Sequence, residues 1–179
     1  FEKLVIVLGH KETTTIGPLI DIYADEDLNS LIEDAKIKGA RVELGGDSCD
    51  LGDNFINPTI LSNINTSMRV FNEEIFGPVA PIIKFETENE AIELANQTDF
   101  GLAAYFYSRD IGRVYRVSEK LEFGIIGVNE GIISNEMAPF GGIKESGNGR
   151  EGSKYGLDDY LEIKYVCVGG INELSLIHI

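Results

Sequence analysis

Basic residues are scarce in this sequence of 179 residues. Fifteen Lys and Arg stand against thirty Asp and Glu, which leaves a formal net charge of −15 at pH 7. Affinity for nucleic acid depends on Lys and Arg neutralising phosphates, and attraction to an anionic membrane surface also needs basic clusters. The charge balance therefore argues against a nucleic-acid partner and against a membrane-surface partner.

Cysteine and long hydrophobic runs are also scarce. The two cysteines, Cys49 and Cys167, are too few for a disulfide scaffold in a chain of this size, and they show no metal-ligand spacing. A reducing compartment is therefore expected, either the cytoplasm or, in a eukaryote, the mitochondrial matrix. No apolar stretch approaches the roughly 20 residues that a membrane-spanning helix needs. The sequence opens at Phe1 without a signal-peptide pattern, which favours a segment of a longer protein.

Hydrophobic residues make up 43% of the chain, enough for a sizeable core. Apolar residues at helical spacing predict helices over 21–38, 67–76, 88–96 and 111–121. Apolar or alternating runs predict strands over 41–44, 79–85, 103–108, 124–129 and 161–168, with an extended segment over 55–64. This alternation predicts an α/β domain with a mainly parallel sheet.

An acidic and aromatic run stands directly before one of the predicted strands. Glu73, Glu74 and Phe76 precede Gly77-Pro78, which ends a predicted helix with a tight turn. Side chains at strand ends line the ligand crevice in sheets of this kind. A carboxylate can accept hydrogen bonds from a sugar diol, and a neighbouring ring can pack on a flat heteroaromatic. The run therefore predicts a nicotinamide-ribose site, although an isolated Glu-Glu pair is more often a solvated helix end.

A glycine-rich loop is predicted over 131–152, and a loop of this length is uncommon in a compact domain unless it is functional. It offers a hydroxyl at Ser134, an amide at Asn135 and an aromatic wall at Phe140. Taken alone, the serine is more often a turn residue and the phenylalanine a core residue. The segment 147–152 matches Gly-x-Gly-x-x-Gly, but no strand directly precedes it, so a phosphate loop is rejected.

Neither cysteine has the electropositive setting of a reactive thiolate. Cys49 lies among three aspartates, whose charges disfavour the thiolate. Cys167 lies between two valines in a predicted apolar strand, where desolvation disfavours it as well. Both are therefore interpreted as structural. His10 and His178 have no recognisable partner, and no catalytic residue is assigned in this chain.

Several motifs in a consistent order resemble the C-terminal part of aldehyde dehydrogenases. These motifs are Thr15-Ile16-Gly17-Pro18-Leu19-Ile20, Glu74-Ile75-Phe76-Gly77-Pro78, Gly101-Leu102-Ala103-Ala104-Tyr105, Pro139-Phe140-Gly141-Gly142 and Gly147-Asn148-Gly149-Arg150-Glu151. Within that superfamily, the stretches 129–134, 151–156 and 160–167 are similar to succinate-semialdehyde dehydrogenases. The resemblance covers the chain from about Thr13 to Gly169.

The resemblance implies part of an aldehyde dehydrogenase catalytic domain over 1–160, an open, mainly parallel, Rossmann-like sheet with flanking helices. It also implies an oligomerisation strand over 161–170, which pairs with a neighbouring subunit through 161–168. The tail over 171–179 resembles nothing expected of the family and is predicted to be non-native.

Four residues receive roles from the resemblance. Glu74 would bind the nicotinamide-ribose hydroxyls of NAD or NADP, and Phe76 would contact the nicotinamide ring. Ser134 would hydrogen-bond the distal carboxylate of succinate semialdehyde, and Phe140 would line the aldehyde tunnel. No metal is expected.

In the family's reaction a cysteine thiolate attacks the aldehyde to give a thiohemiacetal, hydride passes to the nicotinamide, and water hydrolyses the thioester with help from a glutamate base. The family places that cysteine, that glutamate, the dinucleotide-binding domain and the carboxylate-binding arginines upstream of the matched segment. The parent enzyme is therefore predicted to oxidise succinate semialdehyde to succinate, and this chain alone is predicted to be inactive.

Two alternatives stay open. The substrate could be another small aldehyde such as glutarate semialdehyde, because one methylene changes binding by only about 1–3 kcal/mol. The chain could instead be a non-catalytic assembly module that reuses the fold.

Overall fold

The computed structural model of the chain describes residues 22–47 and 55–170, and it describes side chains of the first helix from Asp27 onward. The chain divides into two compact units, Phe1–Glu93 and Leu94–Ile179. Several features singled out in the sequence lie outside the described residues: the motif at 15–20, Cys49, both histidines and the tail over 171–179.

The first unit is built on helix α1, Ile22–Ile37. Its buried residues recur every three or four positions, which confirms the helical spacing expected over 21–38: Leu28, Leu31, Ile32 and Ala35. Gly39 ends the helix with φ +97°, and the Ala40 N–H donates to the Ala35 carbonyl at 2.9 Å. This is a Schellman ending, which needs a residue that tolerates positive φ.

Three strands form the sheet of this unit: β1 Arg41–Leu44, β2 Thr59–Ser62 and β3 Val79–Pro81. The order is β1-β2-β3, with β1 antiparallel and β3 parallel to β2. In the parallel pair, Thr59 stands opposite Val79. The last strand is shorter than the predicted 79–85, and one further backbone bond to β2 follows it, from the Ile82 N–H to the Leu61 carbonyl at 2.8 Å.

Helix α2, Arg69–Asn72, is much shorter than the helix expected over 67–76. The chain is already extended at Glu73, where φ is −105° and ψ is 148°. Residues around this helix and the sheet complete the core with the buried face of α1: Leu61, Ile64, Met68, Val70 and Val79. Helix α3, Glu88–Asn96, has the predicted bounds and spans the boundary between the units.

The second unit contains strand β4 Phe100–Gly101, strand β5 Ala103–Phe106, helix α4 Ile111–Lys120, strand β6 Ile125–Val128, strand β7 Ile143–Lys144 and a 3-10 helix, Tyr155–Tyr160. Strands β5 and β6 are parallel and joined by α4, and β4 pairs with β7 antiparallel. The Asp110 carboxylate caps α4 by accepting from the Arg113 N–H at 3.0 Å. That hydrogen bond lowers the pKa of Asp110 below its usual value.

The α/β class with parallel strands is confirmed, and within the described residues the strands form three small sheets. The segment 161–168, expected to pair with a neighbouring subunit, is exposed and carries no regular element in the described chain. A strand is recognised by its hydrogen-bonded ladder, so a segment whose partner is another chain shows none by itself. The intersubunit pairing therefore stays a prediction. No described helix is both long and apolar enough to cross a membrane.

Candidate functional site

The segment Glu73–Pro78, called the arm below, leads from α2 into β3 and is extended at its first residue, Glu73. Successive side chains in extended chain point to opposite sides. Ile75 packs partly buried against the core, whereas Glu74 is exposed and the Phe76 side chain is 76% exposed. Both predicted cofactor residues of the arm are thus exposed.

The two adjacent glutamates of the arm differ in their partners. Glu73 forms a two-point ion pair with Arg69: Nε lies 2.6 Å from Oε1, and Nη2 lies 2.8 Å from Oε2. This hydrogen bonding lowers the pKa of Glu73 and raises the pKa of Arg69. The Glu74 carboxylate makes no hydrogen bond or ion pair with the residues that the structure describes, so both of its oxygens can accept from a ligand.

The turn at the end of the arm is fixed by close packing and backbone bonds. A Cβ on Gly77 would lie 2.3 Å from Leu28 Cδ1, because the Leu28 side chain of α1 packs directly against the Gly77 backbone. The Val79 N–H donates to the Gly77 carbonyl, and the Thr59 N–H donates to the Pro78 carbonyl, both at 2.8 Å. These contacts anchor the arm to both α1 and β2.

The two predicted substrate residues also lie together, in the second unit. Ser134 and Phe140 line an open depression of about 450 Å³, whose other lining residues are Asn135, Glu136, Glu151 and Gly152. The serine is exposed and the phenylalanine is half-buried. The charged side chains of this lining are both acidic, so the depression by itself does not attract an anion.

Backbone hydrogen bonds give the loop a defined shape on both sides of this depression. Asn135 forms a turn in which its Oδ1 accepts from the Met137 N–H at 2.8 Å. Phe140 and Glu151 exchange both backbone bonds, at 2.8 and 2.6 Å. The Ser153 N–H donates to the Glu136 carbonyl at 2.8 Å. Backbone hydrogen bonds therefore join the two sides of the predicted long loop and give it a fixed conformation.

Arg150 organises the glycine-rich end of the loop, a role that the sequence analysis missed. Its Nη1 donates to three backbone carbonyls: Gly142 at 2.6 Å, Gly149 at 2.9 Å and Asn148 at 3.1 Å. These carbonyls face a cation, which agrees with the rejection of a phosphate loop. A single arginine among glycines marks the position in the sequence, but it does not indicate which carbonyls the arginine binds.

Lys144 is a second anchor that the sequence analysis missed. Its Nζ donates to the carbonyls of Asn96 at 2.9 Å and Thr98 at 3.0 Å, and it pairs with Glu122 at 2.8 Å. A cation at the C-terminus of a helix is favoured by the exposed carbonyls there. Lys144 therefore ties β7 to the end of α3.

The prediction that Cys167 is desolvated in an apolar strand is wrong for this chain, because the thiol is exposed. Its segment has no ladder partner among the described residues, so nothing covers the side chain there. Within the part of the chain that the structure describes, no group of three or more His, Cys, Asp or Glu could hold a metal ion.

Comparison with known proteins decides the family. The aldehyde dehydrogenase family matches the chain over residues 1–166. This chain belongs to the aldehyde dehydrogenase family. The match spans both units, including the arm and the loop with the depression.

Among relatives of this aldehyde dehydrogenase chain, the 3-sulfolactaldehyde dehydrogenase of Pseudomonas putida is 57% identical over 164 residues, which cover 92% of this chain and 34% of that protein. GabD of Escherichia coli K12, an NADP(+) succinate-semialdehyde dehydrogenase, is 58% identical over 167 residues. These residues cover 93% of this chain and 35% of that protein. A crystal structure of succinate-semialdehyde dehydrogenase from Burkholderia pseudomallei matches with a TM-score of 0.82 and 56% identity, covering 87% of this chain and 32% of that one. The chain thus spans about a third of the length of these relatives.

The described residues of this aldehyde dehydrogenase chain fit a nicotinamide cofactor. Glu74 offers an exposed, acceptor-only carboxylate, which suits the hydroxyl donors of a ribose. Phe76 presents an exposed ring two residues further along the arm. The choice between NAD and NADP depends on contacts to the adenosine ribose, which these two residues do not provide.

Proposed function

We propose that the chain is part of an NAD(P)-dependent aldehyde dehydrogenase that oxidises succinate semialdehyde to succinate. The observation that carries the proposal is the arm, in which Glu74 and Phe76 are both exposed while Ile75 packs against the core. Glu74 accepts hydrogen bonds from the nicotinamide-ribose hydroxyls, and the ring of Phe76 packs on the nicotinamide. When bound, the cofactor accepts the hydride that leaves the aldehyde carbon.

On the substrate side, Ser134 donates a hydrogen bond to the distal carboxylate and Phe140 supplies an apolar wall. Their shared depression supports this assignment, as do the succinate-semialdehyde dehydrogenases among the relatives. Because Glu136 and Glu151 line the same depression, the positive charge that neutralises the substrate carboxylate comes from outside it. The family resemblance assigns that charge to arginines upstream of the matched segment.

A second candidate substrate is an aldehyde with a distal sulfonate. The observation that favours it is the 57% identity to a 3-sulfolactaldehyde dehydrogenase. Ser134 does not distinguish the two anions, because sulfonate and carboxylate oxygens both accept from a hydroxyl. It does not exclude glutarate semialdehyde either. Comparing kcat/KM for the three aldehydes on the complete enzyme ranks these substrates.

The experiment that tests the proposed function is S134A in the complete dehydrogenase. Removing the donor lowers kcat/KM for succinate semialdehyde by about ten- to a hundredfold, since a hydrogen bond to a charged group contributes about 1.5–3 kcal/mol. An uncharged aldehyde of the same length keeps its kcat/KM. Steady-state NAD(P)H formation measures both values, and an equal loss on the two aldehydes would contradict the role of Ser134.

The 179-residue chain serves as the negative control of that assay. We expect no aldehyde-dependent NAD(P)H formation, because the family's nucleophilic cysteine lies outside the matched segment. Turnover by the chain alone would contradict that placement. Lack of turnover in the complete protein as well would favour the non-catalytic assembly module.

The complete enzyme is also proposed to self-associate through residues 161–168. Large apolar side chains of this segment are exposed in the single chain, which supports the proposal: Leu161, Ile163, Tyr165, Val166 and Val168. Pairing as a strand with a neighbouring subunit would cover them and satisfy the backbone.

A further inference from the structure

One ion pair lies directly beside the arm and has no role in the proposed reaction. Arg69 is the first residue of α2, and Glu73 follows its last residue. The guanidinium meets both oxygens of the carboxylate, at 2.6 and 2.8 Å. The two side chains are 39% and 46% exposed, so the pair lies at the surface. Its two-point geometry nevertheless fixes the direction of the Glu73 side chain more narrowly than a single contact would.

Arg69 is itself fixed to one face of α1. Its Nη1 donates to Ser30 Oγ at 2.7 Å, and its backbone N–H donates to Asp34 Oδ2 at 2.9 Å. Asp34 in turn pairs with Lys38 Nζ at 2.8 Å. Positions 30, 34 and 38 are four residues apart and therefore lie on the same side of the helix. Arg69 thus links α1 to Glu73, the first residue of the arm.

The direction of the Glu73 side chain bears on the direction of the Glu74 side chain. The two residues are chemically identical and adjacent, and a shift of extended chain by one residue would exchange the sides to which they point. Arg69 attracts a carboxylate toward α1, and the residue held there is Glu73. With Glu73 so held, Glu74 points outward and Ile75 packs inward.

We propose that Arg69 is a positioning residue of the nicotinamide-cofactor site. By holding Glu73 in the ion pair, it selects Glu74 as the carboxylate that faces the ribose and keeps Phe76 on the same side. It touches neither the cofactor nor the aldehyde in this role. The inference rests on the proposed function, because it presumes that Glu74 binds the ribose.

The test is a set of substitutions in the complete dehydrogenase. R69M removes the charge and the donors at similar length, and it raises KM for the nicotinamide cofactor by about two- to fivefold, as expected for the loss of an exposed pair. KM for the aldehyde and kcat stay unchanged. E73Q also raises it, and the double variant does not exceed R69M, because R69M already removes the ion pair together with the hydrogen bond to Ser30. R69K restores part of the loss, since lysine keeps the charge without the two-point fork.

The chain offers a matched control in the same unit. Arg41 and Glu43 also form an exposed pair, with Nε 3.7 Å from Oε1, on β1 rather than beside the arm. R41M removes the same charge and leaves KM for the cofactor unchanged. Thermal midpoints are measured for every variant, and E73Q keeps the inference testable if R69M fails to fold.

Two results overturn the inference. One is a cofactor KM that R69M and E73Q leave at the wild-type value. The other is a rise in aldehyde KM as large as the rise in cofactor KM, which would indicate a general loss of structure. E74Q separates this failure from a failure of the proposed function: if E74Q raises the cofactor KM and R69M does not, only the inference is wrong. If E74Q has no effect, the ribose role of Glu74 and the inference fall together.

Discussion

The first unit buries a hydrophobic core of its own, and the described residues of the second unit do not. Nine buried hydrophobic residues from α1, β2, β3 and the segment around α2 form one cluster in the first unit. Among the described residues of the second unit, Val117 of α4 is the only buried large hydrophobic side chain. Many large apolar side chains of the second unit are exposed; Leu102, Tyr105, Ile163 and Tyr165 are examples. Exposed apolar surface of this extent is typical of a surface that packs against further protein.

The second unit compensates locally with backbone contacts. A Cβ on Gly124 would lie 2.0 Å from the Gly141 carbonyl oxygen, and one on Gly141 would lie 2.2 Å from the Gly149 carbonyl oxygen. Arg150 and Lys144 add charged donors to the backbone carbonyls of this region. The first unit is thus stabilised mainly by side-chain burial, and the loop of the second unit mainly by close backbone packing and two cations.

The largest effect that this comparison predicts comes from L61A in the first unit. Leu61 is fully buried, and a leucine-to-alanine change in a core costs about 2–5 kcal/mol of unfolding free energy. I163A is the matched change in the second unit, where Ile163 is fully exposed. It changes the unfolding free energy by less than about 0.5 kcal/mol.

Hydrogen exchange followed by mass spectrometry reads the two units separately in these variants. L61A speeds exchange of the amides in α1 and β2, whereas I163A leaves both units at the wild-type rates. Similar destabilisation by the two variants would show that the exposed side chain of Ile163 is covered in solution, and the contrast between the units would then fail.

Glycine-to-alanine substitutions are expected to give the next largest loss of unfolding free energy. G77A forces a methyl group against the Leu28 side chain, which can shift, and overpacking of this kind costs about 1–3 kcal/mol. G124A forces the methyl group against a backbone oxygen, which cannot move without displacing the loop. We therefore expect G124A to cost more than G77A in urea unfolding of the chain.

Gly131 provides the control for this pair. Its nearest contact for an added Cβ is the Tyr107 hydroxyl at 4.0 Å, so G131A leaves the unfolding midpoint unchanged. A smaller loss for G124A than for G77A would contradict the conclusion that backbone packing holds the second unit together.

The sequence predicted most of the regular elements because their determinants are local. The apolar spacing of α1 and Gly39 at its end were sufficient for that helix. The bounds of α3 were predicted correctly for the same reason. The helix over 67–76 was overestimated: it begins at Arg69, whose N–H is bound by Asp34 of α1, and the chain is already extended at Glu73.

The part of the site that was predicted is the part whose determinants are also local in sequence. The arm could be recognised because a carboxylate, a ring and a Gly-Pro turn are adjacent in sequence. The roles of Lys144 and Arg150 could not, because each cation binds backbone carbonyls, and every residue carries one. Which of the two glutamates is held and which is available also depended on contacts with α1 that no local pattern encodes.

The smallest effect concerns pH and the ion pair of the arm. Hydrogen bonding from Arg69 lowers the pKa of Glu73 below its usual 4.5 in the folded chain. At pH values near and below 4.5 the unfolded chain therefore binds more protons than the folded one, so stability rises with pH in that window. The contribution is complete above pH 4.5 and is lost as the pH falls through the lowered, folded-state pKa.

We therefore expect the difference in unfolding free energy between wild type and E73Q to be constant from pH 7 down to about 5 and to shrink toward zero at lower pH. Asp34, whose pKa the Arg69 N–H lowers, titrates in the same direction in both proteins and largely cancels in this difference. Urea unfolding at a series of pH values measures it. In the R69M background the E73Q substitution has no effect at any pH, because the hydrogen bond that shifts the pKa is already absent. A wild-type advantage that persists unchanged at pH 3 would mean that Glu73 stabilises the first unit by packing rather than through its charge.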